Sequence, residues 1–387
     1  MKITQKGIIL IGLVVLLLGD FVNRAIAADL PVTGRSQNNA AEKTAVAELR
    51  KAGLFCEFGK EIGDGWWTNY APVLYPSEKE ALADHVVWCE TPLRVDGSKN
   101  PKLSKDTLAQ LQPLKHLRVL RFEHTAVTDE DLQNLETLSE LRELRLDETQ
   151  ITDAGLITDA GLSYLSGLKE LRVLGLAGNT NLTDAGLIHL AGLTNLQKLA
   201  LYTVPVTGTG LVHLKNMSNL KELGLGGTRL TDAGLKNLSK LTSLVQIDAN
   251  NTQVTDAGLI YLKGLTNLEF LALSYISDAG LERLTSLGKL KTLFTGGTNI
   301  TDAGMRSIAK MTKLENLDLF NVRISDAGLK SLAGNKNLKN LSLQESGITR
   351  EAAASLHEAL PDCAITIVFW DRNGRQIIQI PETSAPK

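Results

Sequence analysis

An α/β repeat solenoid is the fold class this chain predicts, on three observations. A 24-residue unit close to L-x-x-L-x-L-x-x-T-x-I-T-D-A-G-L-x-x-L-x-x-L-x-x recurs about ten times between Leu117 and the C-terminus. Inside each unit the hydrophobic period switches from two to three. Each unit is also too short to bury its own leucines, so copies must stack and share one elongated core. The first leucine falls at Leu117, Leu141, Leu171, Leu196, Leu220, Leu244, Leu268, Leu290, Leu314 and Leu338. Two steps depart from 24 by more than one residue, and both are informative. The 30-residue step holds a tandem hexapeptide, ITDAGL over 151–156 and again over 157–162, and removing one copy restores 24. Six residues cannot supply a strand and a helix, so a local bulge is expected, not an extra repeat. The 22-residue step from Leu268 to Leu290 lacks two residues just before Ser277.

The early part of each unit, such as Leu223-Gly224-Leu225, alternates as a half-buried strand does. The later part, such as Leu235, Leu238 and Leu241, has the three-residue spacing of one α or 3₁₀ face. Between them stands Thr or Ser, from Thr128 to Thr349, whose hydroxyl can accept from an amide in the first helical turn. The next residue is Asp in eight of the ten, at the positive end of the helix dipole. Gly155, Gly186, Gly210, Gly234, Gly258, Gly280, Gly304 and Gly328 then fall early in the helix. Glycine there costs about 1 kcal/mol relative to alanine, so its recurrence predicts close packing against the neighbouring loop.

These units resemble the leucine-rich repeat family over roughly Leu103 to Leu360. The T-D-A-G-L form looks like the ribonuclease-inhibitor-like and F-box-associated branches, and like repeats of many secreted bacterial proteins. The resemblance implies a curved solenoid with a parallel sheet on its concave side and helices outside. It implies no particular ligand. One departure is Thr at 125, 149, 228, 252 and 298, where the commonest form of the family has Asn. A hydroxyl makes fewer bonds than an amide, so a weaker loop ladder is expected.

The ends differ from the middle. Residues 1–27 read as a signal peptide: Lys2 and Lys6, an apolar run from Ile8 to Leu18, then Ala25-Ile26-Ala27. That run is shorter than the ~20 residues a membrane span needs, so no stable span is expected after cleavage. Residues 28–102 read as an N-terminal cap. It holds an alanine-rich helix over 40–52, a capping box over 77–80, and between them Trp66 and Trp67, read as cap core over a ligand contact, with Tyr70 in the same segment. After the repeats (103–360), Ala364 to Trp370 and Gln376 to Ile380 flank Asn373-Gly374, predicting a capping hairpin over 361–380. A tail, 381–387, follows. Cys56 and Cys89 can pair in an oxidising compartment, while Cys363 reads as a buried free thiol.

Composition narrows the function. The chain is 43% hydrophobic, which excludes a disordered chain. A net charge of −2 gives no overall footprint for nucleic acid. No P-loop, nucleophile elbow or His-Glu-x-x-His motif occurs. His189 and His213 share one slot in successive helices and read as a solvated face. The Asp column offers one carboxylate per repeat, far from the six to eight oxygens of a calcium site, so capping is its expected role. No cofactor and no metal are expected.

The concave sheet remains as the candidate surface. Counting from the first leucine, positions 3, 5 and 7 point outward. Early repeats place charge there: Arg121, Glu123, Glu143, Arg145 and Asp147. The middle is mostly small: Gly175, Ala177, Ala200, Gly224, Gly226 and Gly296. Later come Phe270, Phe294 and Phe320, a diagonal over three adjacent strands, with Tyr275 bordering them and Tyr202 farther back. Exposed aromatic clusters mark interaction sites. Coverage of the rings by the terminal hairpin or the shortened repeat is the alternative. The expected function is an exported, non-catalytic scaffold binding a protein or other envelope macromolecule through this face. The rival reading is an intracellular F-box-type substrate adaptor for a ubiquitin ligase, whose cytosolic partner conflicts with the leader.

Overall fold

Each repeat contributes one strand and one short helix, and the strands pair in chain order. The computed structural model describes residues 40–52, 54–57, 94–96, 98–99, 105–149, 157–296, 299–344, 348–371 and 374–380. The signal peptide, Trp66, Trp67, Tyr70, the capping box, Cys89, Thr298, the first hexapeptide copy and the tail lie outside them. The strands are β1 (Phe55–Glu57), β2 (Arg94–Asp96), β3 (Val119–Arg121), β4 (Glu143–Arg145), β5 (Val173–Gly175), β6 (Lys198–Ala200) and β7 (Glu222–Gly224). They continue as β8 (Gln246–Ala249), β9 (Phe270–Ser274), β10 (Thr292–Gly296), β11 (Asn316–Phe320), β12 (Asn340–Gln344), β13 (Ala364–Asp371) and β14 (Gly374–Ile380). All belong to one sheet in sequence order, parallel from β2 to β13. The two ends turn antiparallel, β1 on β2 and β14 on β13.

Register explains why stacking succeeds where one unit fails. Leu144 pairs with Leu174, Leu199 with Leu223 and Leu293 with Leu317, so the core leucines form continuous buried rows. Burying one such side chain is worth about 1.5–3 kcal/mol relative to leaving it exposed. The other wall is a column of short α and 3₁₀ turns, such as 186–190, 258–262 and 302–308. Strands stand ~4.8 Å apart while packed helices need ~8–10 Å, so the stack curves with the sheet inside. The fold is a leucine-rich-repeat solenoid.

The recurrent Thr-Asp-Ala-Gly is a clamp between repeats. Most of the described Thr or Ser hydroxyls cap the next helical turn, as at Ala257 N to Thr255 (3.2 Å), but Thr128 and Thr207 do not. Its Asp reaches across the stack instead of serving only its own helix. Asp232 accepts from Thr255 N (2.8 Å) and Oγ1 (2.7 Å), and Asp278 does the same for Thr301 (2.8 and 2.6 Å). The glycine lets that carboxylate in: a Cβ on Gly258, Gly304 or Gly328 would overlap Oδ1 of Asp232, Asp278 or Asp302. The close packing expected from the glycines is therefore packing on the preceding repeat's aspartate.

Gly208 stands in place of Asp inside the column, and Arg350 does so at its end. At Gly208 φ is 93°, and Thr231 N turns to the Thr207 carbonyl (3.1 Å), while Asn237 donates to Gly208 O (2.9 Å). The hexapeptide duplication keeps the clamp. Thr158 of the second copy binds Asp129, Asp159 serves Thr183, and β4 pairs directly with β5. Among the described residues no extra repeat stands between them.

Wherever position 8 is among the described residues, the chain leaves the strand through a left-handed residue there. His124, Glu148, Thr203, Asn251, Tyr275 and Asn321 adopt φ between 53° and 61°, beside Gly178 and Gly227. That conformation costs about 1–2 kcal/mol for a residue with a Cβ. A bond to the next repeat, such as Thr203 N to Gly226 O (2.8 Å), offsets part of it. Three of the threonines that replace Asn bond within their own repeat, Thr125 to Phe122 O (2.6 Å), Thr228 to Leu225 O (2.7 Å) and Thr252 to Ala249 O (2.8 Å), while Thr149 donates to Asn179 Oδ1 of the next one (2.5 Å). Asn179 by contrast reaches the previous repeat at Leu146 O (2.8 Å).

Both ends of the core are covered. Helix Ala40–Lys51 buries Ala45, Val46 and Leu49 against it. At the far end the β13–β14 hairpin extends the sheet, with Ile365 and Ile367 buried. Cys363 is a buried free thiol whose pKa burial pushes up to about 11. Cys56 lies on β1.

Candidate functional site: the concave face

Three of the charges of the first repeats pair with one another within the sheet. Glu143, only 3% exposed, is held by Arg121 Nη2 (2.8 Å) and Arg145 Nε (3.3 Å). Asp147 lies over Gly175, where a Cβ would overlap its carboxylate, and accepts from Ala177 N (2.8 Å). Burial raises its pKa.

The small residues of the middle strands are a floor under larger neighbours. A Cβ on Gly224 would run into the Tyr202 ring, and one on Gly226 would meet it at 3.2 Å. Tyr202 therefore lies across the next strand, hydrogen-bonded to Asp248. Burial raises both pKa values, and the charges of Asp248 and Glu222 push the phenol further. This places Tyr202 three strands from the phenylalanines, in a polar pair of its own.

The aromatic diagonal occupies β9 to β11. Phe270 pairs with Thr292 and Phe294 with Asp318, so the three rings step by one row per strand. Phe270 and Phe294 meet edge to face, 5.5 Å between centroids at 64°. All three are half-buried, and Tyr275, 55% exposed, stands at the end of β9 on a left-handed residue. The hairpin continues the sheet edgewise beyond β12.

One residue of this face went unnoticed in the sequence. Asp318 sits opposite Phe294, with Oδ1 sealed from solvent and accepting no hydrogen bond among the described residues. Burial pushes its pKa up to about 6, against a hydrogen bond with Ser342 that lowers it. Reading position 5 down the repeats finds it, since Asp248 and Asp318 are the two acids of a column otherwise made of Arg121, Arg145, Phe294 and small residues. The native state keeps this proton to higher pH than the unfolded chain, so stability falls as pH rises from ~3.9 through 6. Asp318→Asn is therefore expected to add about 1–3 kcal/mol at pH 7.5 and close to nothing at pH 4. Paired thermal melts at the two pH values check this, and equal shifts would contradict it.

The convex side holds His189 and His213, half-buried beside the exposed Ile188 and Val212. Among the described residues no cluster of His, Cys, Asp and Glu could hold a metal ion. No described helix is long and apolar enough to cross a membrane.

No protein-family model matches the chain, and no curated protein does. Among solved structures it is similar to an internalin (inlF) of Listeria monocytogenes. That match has 21% identity and a TM-score of 0.55, covering 86% of this chain and 96% of the internalin. It is also similar to a leucine-rich-repeat protein of Leptospira interrogans, at 22% identity and TM-score 0.51 over 70% of each chain. At such identities the likeness is one of fold.

Proposed function

We propose that this leucine-rich-repeat solenoid is a non-catalytic scaffold that binds a protein through its concave face. The contact is centred on Phe270, Phe294 and Phe320, with Tyr275 at its border. The observation that carries this reading is the aromatic diagonal. Three half-buried rings share one outward face in a chain with only 5% aromatic residues. Rings presented from a rigid sheet bury large area at little entropic cost. Tyr202 belongs to this surface as a fixed wall, held by Asp248.

Replacing the three phenylalanines by serine is expected to weaken partner capture at least about tenfold while the circular dichroism spectrum persists. Half-buried rings should cost less than the ~3–5 kcal/mol of a fully buried Phe→Ala. Tyr275→Ser, at a more exposed site, gives a milder loss without a folding penalty. A well-folded triple variant that captures the same partners would falsify the reading.

Export belongs to the same proposal and rests on the leader of residues 1–27. Sequencing the mature N-terminus after fractionation is expected to find Ala28 in an envelope or extracellular fraction. An intact Met1 in the cytosol would favour the F-box-type adaptor instead.

A further inference from the structure

The concave face between β8 and β12 has a charge pattern that bears on what it binds. Its outward rows hold three phenylalanines and two carboxylates, Asp248 and Asp318, and no lysine or arginine. Asp248 is engaged by Asn250 N (3.0 Å) and Tyr202. Asp318 has Ser342 for one interaction, while its Oδ1 accepts nothing among the described residues. The lysines at the neighbouring strand starts are committed elsewhere, Lys291 to Glu269 and Lys339 to Glu315, both at 2.7 Å. Among the described residues, none supplies Asp318 with a counter-charge, and a buried acceptor without a donor is costly.

What would relieve that cost is set by the flanks. Phe294 stands opposite on the adjacent strand, about 5 Å away in backbone spacing, and Phe320 follows two residues on along β11, about 7 Å away. A group entering here must donate to a carboxylate while lying against aromatic rings. A guanidinium does both, since its planar edge bonds a carboxylate and its face stacks on a ring. An ammonium satisfies the charge but stacks less well.

We propose that Asp318, flanked by Phe294 and Phe320, anchors an arginine side chain of the protein partner. The proposal rests on the concave-face reading above, yet its test needs no partner. N-acetyl-arginine amide is titrated into the isotopically labelled full chain at constant ionic strength, with N-acetyl-alanine amide as control. The amides of Phe294, Asp318, Phe320 and Ser342 are read by NMR. The expected result is a saturable shift confined to these residues, with a dissociation constant on the order of 10 mM, as a fragment of this size allows. In Asp318→Asn it weakens at least about tenfold. Absence of saturation, an equal response in Asp318→Asn, or equal binding of N-acetyl-lysine amide overturns the assignment. Such a result leaves the triple-phenylalanine capture experiment to stand or fall separately.

Discussion

Gly304→Val is expected to lower stability by about 3–5 kcal/mol, whereas Gly288→Ala changes it by no more than about 0.5 kcal/mol. The two glycines differ in what stands over them. A Cβ at 304 would overlap the Asp278 carboxylate and approach Leu281 Cδ1 to 2.8 Å and Ile300 Cγ2 to 3.0 Å. A Cβ at 288 meets nothing within 4 Å. Overpacking costs about 1–3 kcal/mol, and the displaced Asp278 also abandons Thr301 N and Oγ1. Urea titration of both variants checks the contrast. Similar midpoints would mean that the aspartate column adapts freely to extra volume.

The second large effect is expected at Asp184, the residue that faces Gly208 in the column. It accepts four hydrogen bonds, from Thr207 N and Oγ1 (2.7 Å each), Gly208 N (3.0 Å) and Gly210 N (2.8 Å). Burial alone would raise its pKa, but the bonds from Gly210, Thr207 and Gly208 outweigh it and hold the value below the usual carboxylate range. Asp184→Ala strands three backbone amides, and the expected cost is about 3–4 kcal/mol at pH 7. The sign of the pH dependence follows from the depressed pKa. The native carboxylate gives up its proton more readily than the unfolded one, so its contribution is present above the unfolded pKa and is lost as pH falls through the folded one. The gap between wild type and Asp184→Ala should therefore narrow in acid. Stability in a solenoid is a sum over repeats and their interfaces, so hydrogen exchange should quicken first around 184–210. Uniform acceleration along the whole chain would contradict that local picture.

Much of the fold was legible because its signals are local and repeated. The period of Leu117 to Leu338 specified stacking, the alternation around Leu223 specified a strand, and Asn373-Gly374 between β-prone runs anticipated the hairpin. The phenylalanine diagonal was legible for the same reason. A fixed period turns sequence position into row and strand, and the pairing of Phe270 with Thr292 and Phe294 with Asp318 follows that count.

What a side chain touches across the stack was not legible. The aspartates read as caps for their own helices, but they bind the hydroxyl and amide about one repeat later, as Asp302 does with Ser325. The middle glycines read as bare surface, yet they are the floor on which Asp147 and Tyr202 lie. The left-handed turn at His124, Glu148, Thr203 and Tyr275 has no glycine to betray it. Sequence periodicity by itself determined the solenoid, its core rows and the outward direction of the three phenylalanines, because burial and alternation are properties of one unit repeated. Only the tertiary structure decided which repeat each aspartate clamps, where Tyr202 lies and that Asp318 Oδ1 accepts nothing among the described residues. Those outcomes depend on the offset between stacked repeats, and hydrophobic spacing within a repeat carries no record of that offset.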